Sequence, residues 1–302
     1  MQRKAVVYSS IFLYNKNIKM SQLCLLFSVL GKGKRTYMTI QEEQLSMHEK
    51  DLQRLNELCL MDDDFFSEAL DGKKEAVGYI LNTVLEREDL KVVSTSAQVE
   101  YKSATKRSIR LDIKAEDVKG RIYDIEIQRA DKGTGVKRAR FHSSMIDRNL
   151  LEKGAEFEDL EDTYVIFITE NDKFKEGVPV YHIERKITEK NNALFEDGAH
   201  IIYVNGEFQN LEHPIGRLMH DFKCKNASDI LNPLLAEEVK YLKETEGGKG
   251  QMSRILEEMR EEAEHKKAIE TARKMLERGR DSVEDIAEIT GLTLKEVQEL
   301  AS

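Results

Sequence analysis

Two acidic side chains in neighbouring predicted strands have the chemistry to hold a divalent metal ion. In residues 109–115 the odd positions are apolar and the even positions are charged, which predicts a half-buried strand with Asp112 on its polar face. The same alternation in residues 123–128 places Asp124, Glu126 and Gln128 together on one polar face. Carboxylate oxygens are the ligands that Mg²⁺ and Mn²⁺ prefer. The pattern therefore indicates a candidate metal site.

A short turn predicts how the two strands pair. Residues 118–120 are expected to form a three-residue hairpin loop with Gly at its left-handed third position, so that Asp117 pairs with Arg121. Counting outward in this register puts Asp112 opposite Glu126, with the two Cβ atoms roughly 5 Å apart. Like charges at this separation are destabilising unless a cation compensates them, and a divalent ion would do so.

The same alternation has a simpler explanation that the residues alone leave open. One face of an antiparallel sheet is commonly solvated, and acids on that face are screened by neighbouring bases. Arg110, Lys114 and Arg129 are placed to do this, and Lys114 is a candidate partner for Asp124. Alternation taken alone favours this explanation over a metal site.

The positive charge of the chain is concentrated in its centre. The whole sequence of 302 residues has a net charge of −9, which argues against nonspecific adhesion to nucleic acid over the entire surface. Residues 101–153 contain 14 Lys and Arg against 8 Asp and Glu, so this segment carries +6 and the remainder carries −15. A local patch of this kind can bind phosphate groups.

The cysteines suggest a reducing compartment. They are widely scattered and lack CxxC spacing, so neither a disulfide framework nor a cysteine-based zinc site is predicted. We expect the protein to reside in the cytoplasm. The three residues are Cys24, Cys59 and Cys224.

The N-terminal segment is expected to lie outside the folded domain. An apolar run at residues 20–30 is too short to span a bilayer, and no membrane partner is expected. Residues 1–37 are interpreted as an overextended or disordered N-terminus, with Met38 as the initiator.

The elements around the acidic residues alternate between helix and strand. Residues 38–90 are predicted to be helical, and residues 91–128 to form a largely antiparallel sheet. A helix over residues 136–153 and a buried strand over residues 164–169 then predict a crossover back onto that sheet. Further strands at residues 178–187 and 200–204 precede helices over residues 214–242.

The C-terminal part is predicted to be helical and highly charged. Three glycines at 247, 248 and 250 predict a flexible break before a long helix over residues 251–278. Residues 282–297 have helix-turn-helix spacing around Gly291. The second helix offers few groups suited to reading bases, so the pair is interpreted as a packing or oligomerisation element. The polar side chains that this second helix supplies are mainly Lys295, Glu296, Gln298 and Glu299.

Four sequence features, taken together, are the most specific indication of a protein family in this chain. They are Arg110-Leu-Asp112, Asp124-Ile-Glu-Ile-Gln128, Arg138-Ala-Arg140 and a turn at Gly154. These features resemble the PD-(D/E)XK nuclease family transposases, also called recombination-promoting nucleases. The resemblance runs from about Glu49 through the C-terminal helix pair, and the Asp…Glu-x-Gln core is its most specific part.

The resemblance implies a catalytic site. Asp112 and Glu126 would be metal ligands together with the Ile127 carbonyl, and the metal would polarise the phosphodiester and lower the pKa of the attacking water. The wider superfamily usually has Lys where this chain has Gln128, which would orient the water by hydrogen bonds alone. Glu75 is the candidate for a further acid supplied by a helix, although an ordinary exposed helix Glu is the more common outcome at such a position.

Two arginines would bind phosphate by the same resemblance. Arg138 and Arg140 lie on the helix that follows the motif strand, where guanidinium groups can hold phosphate oxygens. The alternative, a charged solvated helix face, stays open. His142, His182, His200 and His213 show no metal-ligand spacing.

The expected fold is an α/β, restriction-endonuclease-like mixed sheet flanked by helices, with a helical C-terminal extension. The expected domains are residues 38–245 for the nuclease-like part and 246–302 for the charged helix and helix pair. The expected function is metal-dependent DNA endonuclease activity with Mg²⁺ or Mn²⁺, linked to recombination or transposition in a bacterial cytoplasm. The alternative is a catalytically degenerate module that binds nucleic acid or protein partners. Homo-oligomerisation through the C-terminal helices is a further possibility.

Overall fold

The computed structural model describes residues 49–102, 107–129 and 135–301. Every element named below belongs to the compact unit formed by residues 52–302. The predicted N-terminal extension over residues 1–37 and the predicted start at Met38 lie outside the described residues.

A mixed sheet of six strands forms the centre of this unit, in the order β1-β2-β3-β4-β8-β5. The first three strands are antiparallel, whereas β4 is parallel to both β3 and β8, and β5 is antiparallel to β8. Two short strands, β6 and β7, pair separately. The strands are β1 Val92–Tyr101, β2 Ile109–Asp117, β3 Ile122–Gln128, β4 Thr163–Thr169, β5 Val180–Ile183, β6 Lys186–Ile187, β7 Ala193–Leu194 and β8 Ala199–Asn205. The predicted mixed sheet is confirmed.

Helices cover both faces of this sheet. Residues 52–57 are also helical. The numbered helices are α1 Asp63–Leu70, α2 Lys74–Val84, α3 Val136–Leu150, α4 Pro214–Lys223, α5 Pro233–Glu244, α6 Glu246–Arg278, α7 Val283–Thr290 and α8 Leu294–Ala301. Helix α3 connects β3 to the parallel strand β4, as the apolar run after a polar helix predicted.

Two apolar cores result, one on each face. In β3, Ile125 and Ile127 pack into a main core with α1, α2, α4, α5 and the first half of α6. Ile122 points to the opposite face and packs into a second core with Ala139 and Ile146 of α3. Burial on both faces explains why β4 is apolar throughout its length rather than alternating.

The predicted flexible break before α6 is wrong. Helix α6 begins at Glu246 and runs through all three glycines. Gly248 is buried, and a Cβ atom there would lie 2.1 Å from the Tyr241 carbonyl oxygen and 2.5 Å from the Leu242 Cα atom of α5. The glycine therefore allows two helix backbones to approach closely, which a flexible linker would not require.

Gly248→Ala is expected to destabilise the protein by about 3 kcal/mol, because the added methyl group meets backbone that cannot rotate away. Gly250→Ala is the matched control, since nothing lies within 4 Å of its would-be Cβ atom. That substitution should stabilise α6 by about 0.5–1 kcal/mol. Urea unfolding of both variants measures the difference. Equal effects on the free energy of unfolding would contradict the packing described for Gly248.

The C-terminal helices α7 and α8 fold back onto the end of α6. Their shared apolar core consists of Ala272, Ile286, Leu292 and Val297. Gly291 has a φ of +74° in the turn between α7 and α8, and Thr293 and Glu296 cap α8 reciprocally. The first half of α6 packs into the main core through Met252 and Leu256. The domain boundary at residue 246 stays a prediction.

Among the helices of the described ranges, we find none that combines the length and the apolar character needed to cross a bilayer.

Candidate metal and phosphate site

The β2–β3 hairpin turns as the sequence predicted. The Asp117 amide donates to the Arg121 carbonyl oxygen over 3.2 Å, and Gly120 has a φ of +79°. The Asp117 carboxylate accepts further hydrogen bonds from Arg121 and from the Tyr123 hydroxyl. The ladder then pairs Ile113 with Ile125, and this is the register in which Asp112 lies opposite Glu126.

At Asp112 the two strands separate, and two carboxylates occupy the gap between them. The Asp112 amide donates to Glu126 Oε1 over 3.1 Å, and the Ile127 amide donates to Asp112 Oδ2 over 3.0 Å. Leu111 and Ile113 pack into opposite cores although they are two residues apart, so the face alternation of β2 is interrupted at Asp112. The side chains of the acids replace the backbone pairing that the ladder has lost.

The prediction that the acids lie on a half-buried polar face is wrong, because this face is buried. Asp112 is 5% exposed, and both Asp124 and Glu126 are 0% exposed. Helix α3 covers the acids of β3, so the alternative in which surface bases screen them in water does not apply. Buried carboxylates need a partner or a cation.

Burial and mutual repulsion perturb the acids strongly. Burial, followed by the charges of Glu126 and Asp63, raises the pKa of Asp112 well above its ordinary value. Burial, followed by the charge of Asp124, raises the pKa of Glu126 to about 8. A positive charge placed between the carboxylates would lower both values and favour the ionised forms.

A third acid reaches this pair from α1. Asp63 is exposed in the first turn of α1, and its carboxylate lies within hydrogen-bonding reach of Asp112. Glu75, the predicted helical acid, is exposed at the start of α2, which packs against β1. Helix α1 packs against β2 and β3, which places Asp63 beside Asp112, and the role of Glu75 as the helical acid stays a prediction.

A cleft of about 320 Å³ opens beside the acids. Its wall is built from the start of α1, the end of β3 and the middle of α6. The lining residues include Asp62, Asp63, Gln128, Arg129 and Met259. Solvent and a substrate can therefore approach the site from the side of Asp63 and Gln128.

Helix α3 brings a cation to the pair. Arg138 donates from Nη2 to Glu126 Oε2 over 2.8 Å, and its Nη1 lies 3.5 Å from Gln128 Oε1. Arg140, two residues further along, is exposed. Residues two apart point to different sides of a helix, so the structure brings only the first of the two predicted phosphate-binding arginines to the acids.

The face of α3 that carries Arg138 also carries His142, to which the sequence spacing assigned no ligand role. His142 is 3% exposed, and its Nδ1 lies 2.9 Å from Asp124 Oδ2. Asp124 thus contacts His142 rather than the predicted Lys114, whose ammonium group lies near the Tyr101 ring. Burial lowers the pKa of His142. The sequence contained a usable signal, because positions four apart share a helix face.

Two groups of residues have donors suited to a metal ion. Asp112 and Glu126 supply carboxylate oxygens, and the Ile127 carbonyl points into the same gap because its amide does so. This all-oxygen set fits Mg²⁺ or Mn²⁺, and the Arg138 guanidinium beside Glu126 shows that the site attracts a cation. Asp124, Glu126 and His142 also have donor atoms within 4.8 Å of one another.

Comparison with known proteins matches the chain to a family. A sequence model of the family described as "PD-(D/E)XK nuclease family transposase" matches residues 64–286 of the 302. No curated protein and no solved structure matches significantly. The matched range contains Asp112, Glu126 and Arg138, whereas Asp63 lies one residue before it.

Proposed function

Because the chain belongs to the PD-(D/E)XK nuclease family transposases, we propose that it is a divalent-metal-dependent endodeoxyribonuclease acting in recombination or transposition. The family itself assigns a nuclease function related to transposition. The finer proposal covers the substrate, DNA, the cofactor, Mg²⁺ or Mn²⁺, and the site, the Asp112–Glu126 pair.

One observation carries this proposal. Asp112 and Glu126 are buried where two strands separate, and each is anchored by a backbone amide of the neighbouring strand. A protein that only needed to close this gap would place apolar side chains there at lower free-energy cost. Two repelling carboxylates whose neighbours Asp63 and Ile127 line a cleft are consistent with a site that binds a cation in order to function.

The residues around the pair have separable tasks. Asp112, Glu126 and the Ile127 carbonyl would hold the ion. A bound divalent ion stabilises the charge that develops on the phosphate and lowers the pKa of the attacking water. Gln128, at the cleft wall, would orient that water by hydrogen bonds. Arg138 would contact the phosphate, and the exposed Arg140 would add to the positive surface that receives the DNA backbone.

Cleavage of supercoiled plasmid by the full chain tests this function. Nicked circles are expected with Mg²⁺ or Mn²⁺, and none with a chelator. Metal-independent nicking, or an absence of nicking with both metals, would count against the proposal. The second outcome combined with retained DNA binding would favour the degenerate DNA-binding module, for which the neutral Gln128 is the main argument.

Asp63→Asn is expected to weaken Mn²⁺ binding about tenfold, because it removes a negative charge beside Asp112. Glu75→Gln is the matched control, since it also neutralises one helical acid but at a position on α2 away from β2 and β3. Calorimetric titration of both variants with Mn²⁺ measures the effect. An equal or larger loss in Glu75→Gln would restore the original choice of that residue.

Three further expectations accompany this proposal. DNA is the proposed partner, and a bacterial cytoplasm is the proposed location. Self-association through α6, α7 and α8 stays a prediction. Ile289 and Leu294 are apolar and exposed on α7 and α8, so they are the first positions to alter in a sedimentation experiment.

A further inference from the structure

The Arg138 side chain is held from two sides. Its Nη2 donates to Glu126 Oε2 over 2.8 Å, while its Nε donates to His142 Nε2 over 3.3 Å. The guanidinium also lies over the ring of Phe167, 5.8 Å from its centroid. The side chain is nevertheless 37% exposed. A partly exposed arginine fixed in this way is more ordered than a free surface cation.

These contacts determine which nitrogen of His142 carries the proton. Arginine is always a donor, so His142 Nε2 must accept and is therefore unprotonated. A neutral imidazole then carries its hydrogen on Nδ1, which donates to Asp124 Oδ2 over 2.9 Å. The hydrogen bonds thus run in one direction, from Arg138 to His142 and from His142 to Asp124.

The same assignment argues against a metal ion on His142. Asp124, Glu126 and His142 are close enough to share an ion, but the available imidazole nitrogen, Nδ1, already carries a proton. The guanidinium also occupies Glu126 Oε2, which leaves Oε1, beside the Asp112 amide, for an ion held with Asp112.

Asp124 lies between His142 and Glu126 in the buried layer under α3. Its side chain is fully buried, and its Oδ1 atom has no hydrogen-bond partner among the described residues. Burying a carboxylate with one unsatisfied oxygen is costly. The hydrogen bond to His142 offsets part of this cost, and it orients the imidazole so that Nε2 faces Arg138.

We propose that the buried Asp124–His142 pair positions Arg138, so that its guanidinium holds a phosphate oxygen of DNA beside Glu126 and Gln128. This inference rests on the proposed nuclease function and names the residues that prepare its phosphate contact. Arg138 supplies there a positive charge that the neutral Gln128 cannot provide. Asp124 and His142 are positioning residues, because they act on the substrate only through Arg138.

A double-mutant cycle tests this coupling. The variants of the full chain are Arg138→Ala, His142→Phe and the two combined, with His142→Gln as the conservative replacement. Phenylalanine keeps the ring but makes no hydrogen bond, whereas a Gln amide can both accept from Arg138 and donate to Asp124. The exposed Arg148→Ala, at the far end of α3, measures the effect of removing one positive charge from the same helix.

Binding of a 30-base-pair DNA duplex in EDTA, measured by fluorescence anisotropy, is the primary readout, because it does not depend on cleavage. Arg138→Ala is expected to weaken binding about tenfold, the scale of one charge-assisted hydrogen bond. His142→Phe should weaken it roughly threefold to tenfold, and the double variant should be no worse than Arg138→Ala alone. His142→Gln should bind within about twofold of the wild type, and Arg148→Ala should lose less than Arg138→Ala.

Four results would overturn the proposal. The first two are losses of DNA affinity that multiply in the double variant, and a His142→Gln variant that binds DNA as weakly as His142→Phe. The third is Mn²⁺ affinity that is lost in His142→Phe but kept in Arg138→Ala. The fourth is an absence of DNA binding by the wild type. Plasmid nicking in Mg²⁺ then separates the two proposals. A non-additive binding cycle in a protein that does not cut DNA would support the positioning role and refute the nuclease function.

Discussion

The Asp112→Asn variant is expected to be more stable than the wild-type protein in the absence of metal. The substitution preserves an oxygen that can accept from the Ile127 amide, and it replaces one of two buried acids that repel each other when ionised. A gain of about 1–2 kcal/mol in the free energy of unfolding is the scale seen when buried charges are replaced by neutral groups. Thermal unfolding in EDTA should show Tm higher by roughly 2–8 °C.

Bound metal should make the wild type more stable than Asp112→Asn. Mn²⁺ at about a hundred times its dissociation constant would stabilise the wild type by about 2.7 kcal/mol and leave Asp112→Asn nearly unchanged. The control is Glu116→Gln, which neutralises a less buried acid four residues along the same strand. If Asp112→Asn were less stable than the wild type in EDTA, the carboxylate would be a structural group rather than a ligand awaiting a cation.

The second large effect is a fall in stability of the metal-free protein as pH rises. The pKa of Glu126 is raised by burial and by Asp124 to about 8, from 4.5 in the unfolded chain. The native state therefore binds more protons than the unfolded state between these values, and stability is lost as pH rises through this window. A difference of one bound proton between the native and unfolded states changes the free energy of unfolding by about 1.4 kcal/mol for each pH unit.

Urea unfolding in EDTA at pH 5, 6.5 and 8 measures this dependence. Glu126→Gln should flatten it, whereas the Glu116→Gln control should keep it. Metal affinity should change in the opposite direction and rise over the same window, because the ligands bind as carboxylates. A wild-type protein whose stability was constant or increased between pH 5 and pH 8 would contradict the environment described for Glu126.

The hairpin that positions the site was predictable because its information is local. A Gly at the third loop position determines the turn, the turn determines the register, and the register brings Asp112 to Glu126. The crossover helix α3 was predictable for a similar reason, since its polar sequence ends before a strand that is apolar on both faces. The family resemblance then gave the chemistry of the pair.

What the sequence did not reveal depends on how distant elements pack. Strand alternation separates two faces of β3 but does not say that α3 covers the polar one, so the acids were expected to be solvated. Whether Asp63 or Glu75 reaches Asp112 depends on which helix lies over β2 and β3. The role of Gly248 depends on α5, because a helix breaker and a site of close helix contact look alike in one sequence.

The most direct test of the central claim compares plasmid nicking by the wild type with that by Asp112→Asn, Glu126→Gln and the control Glu116→Gln. Each protein is assayed with Mg²⁺, with Mn²⁺ and with a chelator. The bound metal is expected to lower the activation free energy of cleavage by several kcal/mol. Its loss should therefore reduce nicking in the first two variants by roughly a thousandfold or more. The wild type and Glu116→Gln should nick alike, and only with metal. Equal nicking by all four proteins would show that the Asp112–Glu126 pair is not the catalytic site.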